Sequence, residues 1–316
     1  MRMMMTGAAL AGLMLAACQP ANEQKPGDHA PPTPQQTVAA PAEKPVYRFK
    51  IGALDAIALF DGENPVPNDN KVFGVGLNPQ AVAASLAAAG QPADPIMLEI
   101  HPLLVRNGDR TMLFDTGLGE GKGQLMDSLQ KAGVDPASVT DVLISHGHPD
   151  HVGGLIRAGG LAFPNAAIRM SQAEWASIRA NPELADLVRI ITPKVQAFAP
   201  GAEVAPGVTA QDTAGHTPGH VAYLIADGQN QLLFTGDHAL PRITSTVGLH
   251  GSPDHDALGE FLASLARIAA LAENVREVLP AHEHRFTGLD LRVADLLAHH
   301  EGRLAAAHRA VTAHPS

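Results

Sequence analysis

Cysteine is nearly missing from this chain. The only one is Cys18, so neither an intramolecular disulfide nor a cysteine-rich zinc module can be built. Aromatic residues make up 4% of the sequence, with a single Trp, which argues against a stacking platform for single-stranded nucleic acid. Positive charge is also scarce. The 22 Lys and Arg stand against 32 Asp and Glu, and the resulting net charge of −10 repels phosphate backbones, so no nucleic-acid partner is expected. There is no G-x-S-x-G elbow to present a nucleophilic serine. The glycines Gly117, Gly119, Gly121 and Gly123 fit neither G-x-x-x-x-G-K-[ST] nor G-x-G-x-x-G, and they read as a turn, not a phosphate cradle. Histidine is abundant instead, 16 among 316 residues, on a chain long enough to bury a substantial core. Any metal site must therefore use imidazole and carboxylate donors.

Residues 1–20 read MRMMMTGAALAGLMLAACQP. Arg2 is followed by an apolar stretch too short for a comfortable membrane span, and then by Leu15-Ala16-Ala17-Cys18. The arrangement resembles the lipobox of bacterial lipoproteins, in which the cysteine is lipidated and becomes the first residue of the mature chain. That resemblance implies a signal peptide at 1–17, a membrane partner through a lipid anchor at Cys18, and export. Gln19, in place of the Asp linked to inner-membrane retention, favours the periplasmic face of the outer membrane. Residues 18–45 are rich in Pro and Ala and lack hydrophobic periodicity, which reads as a tether. The folded body is expected over 46–316.

Within that body, strand-like patterns cover 47–60, 98–106, 111–115, 139–145, 166–170, 208–212, 222–226, 231–235 and 275–279. Helical patterns cover 79–89, 123–132, 258–272 and 289–310, with another helix capped by Ser171 and carrying Glu174 and Trp175. Strands mixed with helices in this order indicate a layered α/β fold.

His146-Gly147-His148-Pro149-Asp150-His151 follows directly on the apolar run 139–145. A loop at a strand end can turn several of these side chains inward. His216, in Gly215-His216-Thr217-Pro218-Gly219-His220, and Asp237 and His282 each stand just past a further expected strand, where α/β folds place their sites. These seven nitrogen and oxygen donors suit Zn, Mn or Fe.

The motif, its order and its spacing resemble the metallo-β-lactamase superfamily. The resemblance implies a four-layer αββα sandwich with two divalent metal ions, zinc first, with Mn, Fe or Co as alternatives. It also implies that His146, His148 and His216 hold one ion, that Asp150, His151 and His282 hold the other, and that Asp237 bridges them. His284 competes with His282; the family's short step after the strand favours His282. Phe114-Asp115-Thr116-Gly117, Phe163-Pro164-Asn165-Ala166 and Gly215-His216-Thr217-Pro218-Gly219-His220 resemble the methyl parathion hydrolase branch, to which acyl-homoserine lactonases are related. The segment from Pro280 to Arg292 departs from that hydrolase.

The implied chemistry is hydrolysis of small lactones or esters, with phosphotriesters as further substrates, by a hydroxide shared between the ions. Asp150 would also orient or shuttle the proton as a catalytic group, and Asp115 would support the metal loop. Trp175 resembles an aromatic that lines the leaving-group pocket of the hydrolase branch, and His238 follows Asp237 closely enough to contact substrate. His220 and His284 are expected beside the ligands or at the surface; His299, His300, His308 and His314 are expected to face solvent. A β-lactamase is the first alternative, and a surface lipoprotein that binds metal without catalysis is the second. A glutathione thioesterase is disfavoured by the lack of an evident basic C-terminal domain. The relatives make a homodimer possible.

Overall fold

A computed structural model describes residues 46–74, 77–88, 90–248 and 255–313. These belong to the unit Lys44–Ser316. The expected signal peptide, Cys18 and the whole of the tether lie outside the described residues. So does His314.

The stretch 47–60, expected as one strand, doubles back at Gly52 into β1 (Tyr47–Ile51) and β2 (Leu54–Ala58). Gly52 has φ 59°, a conformation that glycine adopts without a Cβ penalty. The stretch 98–106 also divides. β3 (Gly62–Val66), α1 (Pro79–Ala88) and β4 (Ile96–Ile100) form an arm, and β5 (Leu103–Asn107) starts a new pairing after Pro102, which has no N–H to continue a ladder. β6 (Arg110–Phe114), α2 (Leu125–Lys131), β7 (Asp141–Leu143), α3 (Pro149–Val152), β8 (Ile156–Arg157) and β9 (Gly160–Leu161) follow. Next come β10 (Ala167–Ser171), α4 (Gln172–Ala180), α5 (Ala185–Ile191) and β11 (Val195–Phe198). The second half holds β12 (Glu203–Ala205), β13 (Val208–Asp212), β14 (Val221–Asp227), β15 (Asn230–Gly236), α6 (Ala257–Ala269), β16 (Val275–Pro280) and α7 (Leu289–Ala313).

Among the described residues, the main sheets have seven strands in the order β1-β2-β5-β6-β7-β10-β11 and five in the order β12-β13-β14-β15-β16. Side chains alternate across each strand, and the alternation sorts the core into layers. Leu104, Leu113, Val142 and Ile144 face outward against Leu125, Leu129, Ile178 and Ile191 of α2, α4 and α5. Their neighbours Leu103, Val105, Met112, Phe114 and Leu143 face inward against Val208, Val221, Tyr223, Ile225, Leu232 and Phe234 of the second sheet. On the far side, Ala222 and Leu233 pack against Phe261, Leu265, Val293 and Leu296 of α6 and α7. The result is the expected four-layer αββα sandwich.

Phe114 is central to the inner layer, with ring centroids 5.4 Å from Tyr223 and 5.7 Å from Phe234. Phe114→Ala should lower unfolding stability by about 3–5 kcal/mol, because truncating a sealed aromatic loses transfer energy and leaves a cavity. Urea denaturation checks this; a loss below about 1 kcal/mol would contradict the packing described.

Candidate metal centre

The ends of β6, β7, β13, β15 and β16 meet along one edge of the sandwich. Asp115 follows β6, His146 follows β7, His216 follows β13, Asp237 follows β15 and His282 follows β16. α3 begins just after His148 and carries Asp150 and His151.

His146, His148, His216 and Asp237 form one group of close donors, and Asp150, His151 and His282 form another. In the first, His148 Nδ1 lies 2.9 Å from His146 Nε2 and 3.1 Å from His216 Nε2. The far side of each ring fixes which nitrogen carries hydrogen. His216 Nδ1 donates to the Thr246 carbonyl at 2.7 Å, so its Nε2 lone pair points into the group. Ser145 Oγ donates to Asp115 Oδ2 at 2.7 Å and so accepts from His146 Nδ1 at 3.0 Å, which turns the His146 Nε2 lone pair inward as well.

In the second group, His151 Nδ1 donates to Asp115 Oδ2 at 2.8 Å, and His282 Nδ1 donates to the Glu99 carbonyl at 2.9 Å. The Nε2 atoms then face carboxylates. His282 Nε2 is 3.5 Å from Asp150 Oδ2, and His151 Nε2 is 3.7 Å from Asp150 Oδ1. Asp237 stands between the groups. Its Oδ1 is 3.1 Å from His282 Nε2 and 3.4 Å from His151 Nε2, while its Oδ2 is 3.5 Å from His216 Nε2 and 3.9 Å from His146 Nε2.

Burial pushes His146 well below the usual imidazole range and, with His216 and His151 nearby, takes His148 down to about 4. Burial also pushes His151 down, but Asp237, Asp150 and Asp115 outweigh it and hold His151 up at about 10. His282 is raised against its burial, chiefly by Asp237. Burial pushes the Asp237 carboxyl up, yet His282 and His151 outweigh it and keep that carboxyl well below the usual range. The carboxylates that favour a proton on His151 and His282 would equally favour a cation there.

The residues fit a pair of small divalent cations. Buried polar atoms normally find a hydrogen-bond partner, yet His151 Nε2 and Asp237 Oδ1, 3.4 Å apart, have none. In the first group the imidazole nitrogens of His146, His148 and His216 stand 2.9 and 3.1 Å apart, the spacing of neighbouring ligands on one such ion, and in the second the Asp150 carboxylate joins His151 and His282 at 3.7 and 3.5 Å. The rings of His146, His151, His216 and His282 are also anchored through their other nitrogen, as metal-ligating histidines are.

Further groups hold the edge together: Glu174, whose role sequence reasoning passed over, and His220 and Asp115, which it expected beside the ligands and as a support of the metal loop. Glu174 is buried beneath both histidine loops. Its Oε1 accepts from Gly147 N at 2.7 Å, and its Oε2 accepts from Thr217 Oγ1 at 2.7 Å and Gly219 N at 3.1 Å. His220 donates through Nδ1 to Thr213 Oγ1 at 2.8 Å and accepts the Asp237 N–H at its Nε2 at 3.2 Å, so it sets the Asp237 backbone. Asp115 sits at φ 57°, unusual for a residue with a Cβ, and receives Ser145 N and Oγ as well as His151.

Of the two expected substrate contacts, Trp175 has a half-buried ring that packs on the core beneath α4, with the Arg179 guanidinium 5.4 Å from its centre. α4 turns Glu174 toward the loops, and the next residue on a helix points to a different face. His238 is fully buried, packed on Phe261 and 3.2 Å from Ser264 Oγ, so substrate cannot reach it. His300 is likewise buried against Phe261 and does not face solvent. His284 is exposed whereas His282 is buried in the cluster.

A family model described as the metallo-beta-lactamase superfamily matches residues 99–282, more than half of the chain. The hydroxyacylglutathione hydrolase of Albidiferax ferrireducens is 30% identical over 203 residues, covering 63% of this chain and 68% of the relative. An N-acyl homoserine lactonase of a Bacillus species is 33% identical over 159 residues, covering 42% and 61%. The chain spans between 45% and 68% of the length of the curated relatives it matches first. The solved structure of AidC, a dizinc quorum-quenching lactonase in complex with a product, superposes with a TM-score of 0.62 at 28% identity, over 75% of this chain and 90% of that one. The sandwich, the donors gathered at its edge and the span of the family match agree, and the chain belongs to the metallo-beta-lactamase superfamily.

Proposed function

We propose that the chain is a dinuclear metal-dependent hydrolase of small lactones or esters, close in chemistry to the acyl-homoserine lactonase and methyl parathion hydrolase branches. The observation that carries this reading is Asp237, one carboxylate with an oxygen toward each donor group. His146, His148 and His216 would hold one ion, Asp150, His151 and His282 the other, and Asp237 both. Zinc suits the all-nitrogen-and-oxygen donor set. When bound, such a pair lowers the pKa of a shared water and polarises the electrophilic carbonyl or phosphoryl oxygen.

The protein's own groups supply orientation and proton handling. Asp115 and the Glu99 carbonyl fix the rings of His151 and His282, and Thr246 fixes His216. Asp150 has the most exposed carboxylate of the cluster, at 25%. From there it takes the proton of the attacking water and returns it to the leaving oxygen. The dizinc lactonase neighbour supports lactones as the first substrate class.

The test is a panel of N-acyl homoserine lactones, aryl esters, phosphotriesters, glutathione thioesters and β-lactams. Lactone or aryl-ester turnover should vanish on chelation and return with zinc. Exclusive β-lactam turnover would favour a lactamase, and two bound metals with no turnover on any substrate would favour a metal-binding protein without catalysis.

A further inference from the structure

Residues 240–247, just beyond Asp237, form a strap with no regular structure. No backbone–backbone hydrogen bond ties this strap among the described residues. It nevertheless supports two members of the cluster. The Thr246 carbonyl accepts His216 Nδ1 at 2.7 Å, and Ser245 Oγ donates to the Asp237 carbonyl. Without a ladder, something else must fix the path of this backbone.

Side chains from a different part of the chain do so: beside a bond between His300 Nε2 and Thr244 Oγ1 at 3.3 Å, two of them grip the backbone or its arginine. Arg292, on the first turn of α7, donates from Nε to the Leu240 carbonyl at 2.6 Å and from Nη2 to the Ile243 carbonyl at 2.7 Å. Glu283, the residue after His282, pairs with Arg242 Nε at 2.7 Å and accepts Arg242 N at 3.2 Å. The Glu283 side chain is 7% exposed, so the pair is sheltered on the carboxylate side, where a charge-assisted bond is stronger than at an open surface. Both clamps come from the segment between Pro280 and Arg292, the one whose sequence departs from the methyl parathion hydrolase pattern.

We propose that Arg292 and Glu283 are positioning residues that fix the strap at 240–247 and, through Thr246 and Ser245, the orientation of His216 and the placement of Asp237. The inference rests on the reading of His216 and Asp237 as metal ligands. Arg292 holds two carbonyls in the first half of the strap with a planar fork, a geometry that lysine cannot reproduce. Glu283 grips the strap between those two points. Thr246 and Ser245 follow within a few residues, so freedom at the clamps becomes freedom at the imidazole and the carboxylate.

The full chain tests this through Arg292→Ala and Glu283→Gln. Both variants should melt cooperatively, yet bind zinc about 10–100-fold more weakly in competition with a chromophoric chelator, the range that loss of an outer support costs a metal site. The visible spectrum of the cobalt-loaded variants should change, and millimolar guanidinium should restore part of the zinc affinity of Arg292→Ala. A purely structural role would lower the melting temperature and leave affinity and spectrum alone. If Arg292→Ala does not fold, Glu283→Gln carries the test through the same affinity and spectrum. An unmodified chain with two metals and variants of unchanged affinity and spectrum would overturn the clamp. An unmodified chain that binds no metal would overturn the underlying reading and the clamp with it.

Discussion

Asp237→Asn is expected to leave the chain folded, with fewer than two metal ions, and to reduce hydrolytic turnover by more than the about 10–100-fold that loss of an outer partner costs a metal site. The argument is geometric. Oδ1 faces His282 and His151 at 3.1 and 3.4 Å, and Oδ2 faces His216 and His146 at 3.5 and 3.9 Å. Asparagine preserves the shape but replaces one oxygen with an NH2 group, which offers no lone pair to a cation. It also removes the charge that makes the centre attractive to cations. Metal content by mass spectrometry and kcat/KM on the best substrate check the expectation. Two ions per chain with unchanged turnover would show that Asp237 is not shared.

Glu174→Ala is expected to be the most destabilising single change near the site. Three donors, Gly147 N, Thr217 Oγ1 and Gly219 N, converge on this one buried carboxylate. An unsatisfied buried donor costs about 1–3 kcal/mol, and the three will not add fully, so a loss of about 3–5 kcal/mol is expected. For a body of this size that is a fall in melting temperature of roughly 5–10 °C. Alanine cannot be compensated by collapse, because the backbone is already in close contact. A Cβ at Gly219 would lie 2.1 Å from Glu174 N, and one at Gly147 would lie 2.6 Å from Ile178. The same change loosens the loops of His146–His148 and His216 together, so metal affinity should fall along with stability. Calorimetry alongside a zinc titration checks both; a variant as stable as the parent would mean that the loops hold themselves.

The donors were legible in the sequence because they are dense and lie beyond apolar strands. The run from His146 to His151 has few structural explanations, and His216, Asp237 and His282 each follow a stretch that reads as buried strand. Among the supports, Asp115 was legible from its turn before the metal loop, but Glu174 was not, because its partners are remote in sequence. Ser171-Gln172-Ala173-Glu174 has the form of a local capping box, and Ser171 does accept Glu174 N at 3.0 Å. The Glu174 side chain, however, reaches 27 residues back to Gly147 and 45 residues forward to Gly219. Trp175 invited a role in binding because its position resembles that of a pocket-lining aromatic in the hydrolase branch, whereas in the structure its half-buried ring packs on the core.

The fold shows a similar division. The long apolar runs became the central strands as expected. The elements missed were short or interrupted: β3 contains Pro65, β12 has three residues, and α5 has seven. Their stability comes from pairing and packing, and windows that short carry little periodicity. The expected strand over 98–106 concealed a branch point, since apolar residues on both sides of Pro102 serve different partners, β4 pairing with β3 and β5 with β2.

The central claim is that one cluster holds two ions through a shared carboxylate. Metal analysis of the zinc-loaded chain, combined with anomalous diffraction at the zinc edge, tests it most directly. The account predicts two zinc ions per chain, one among His146, His148 and His216 and one among Asp150, His151 and His282, with Asp237 contacting both. A single ion, or ions bound away from these side chains, would contradict it.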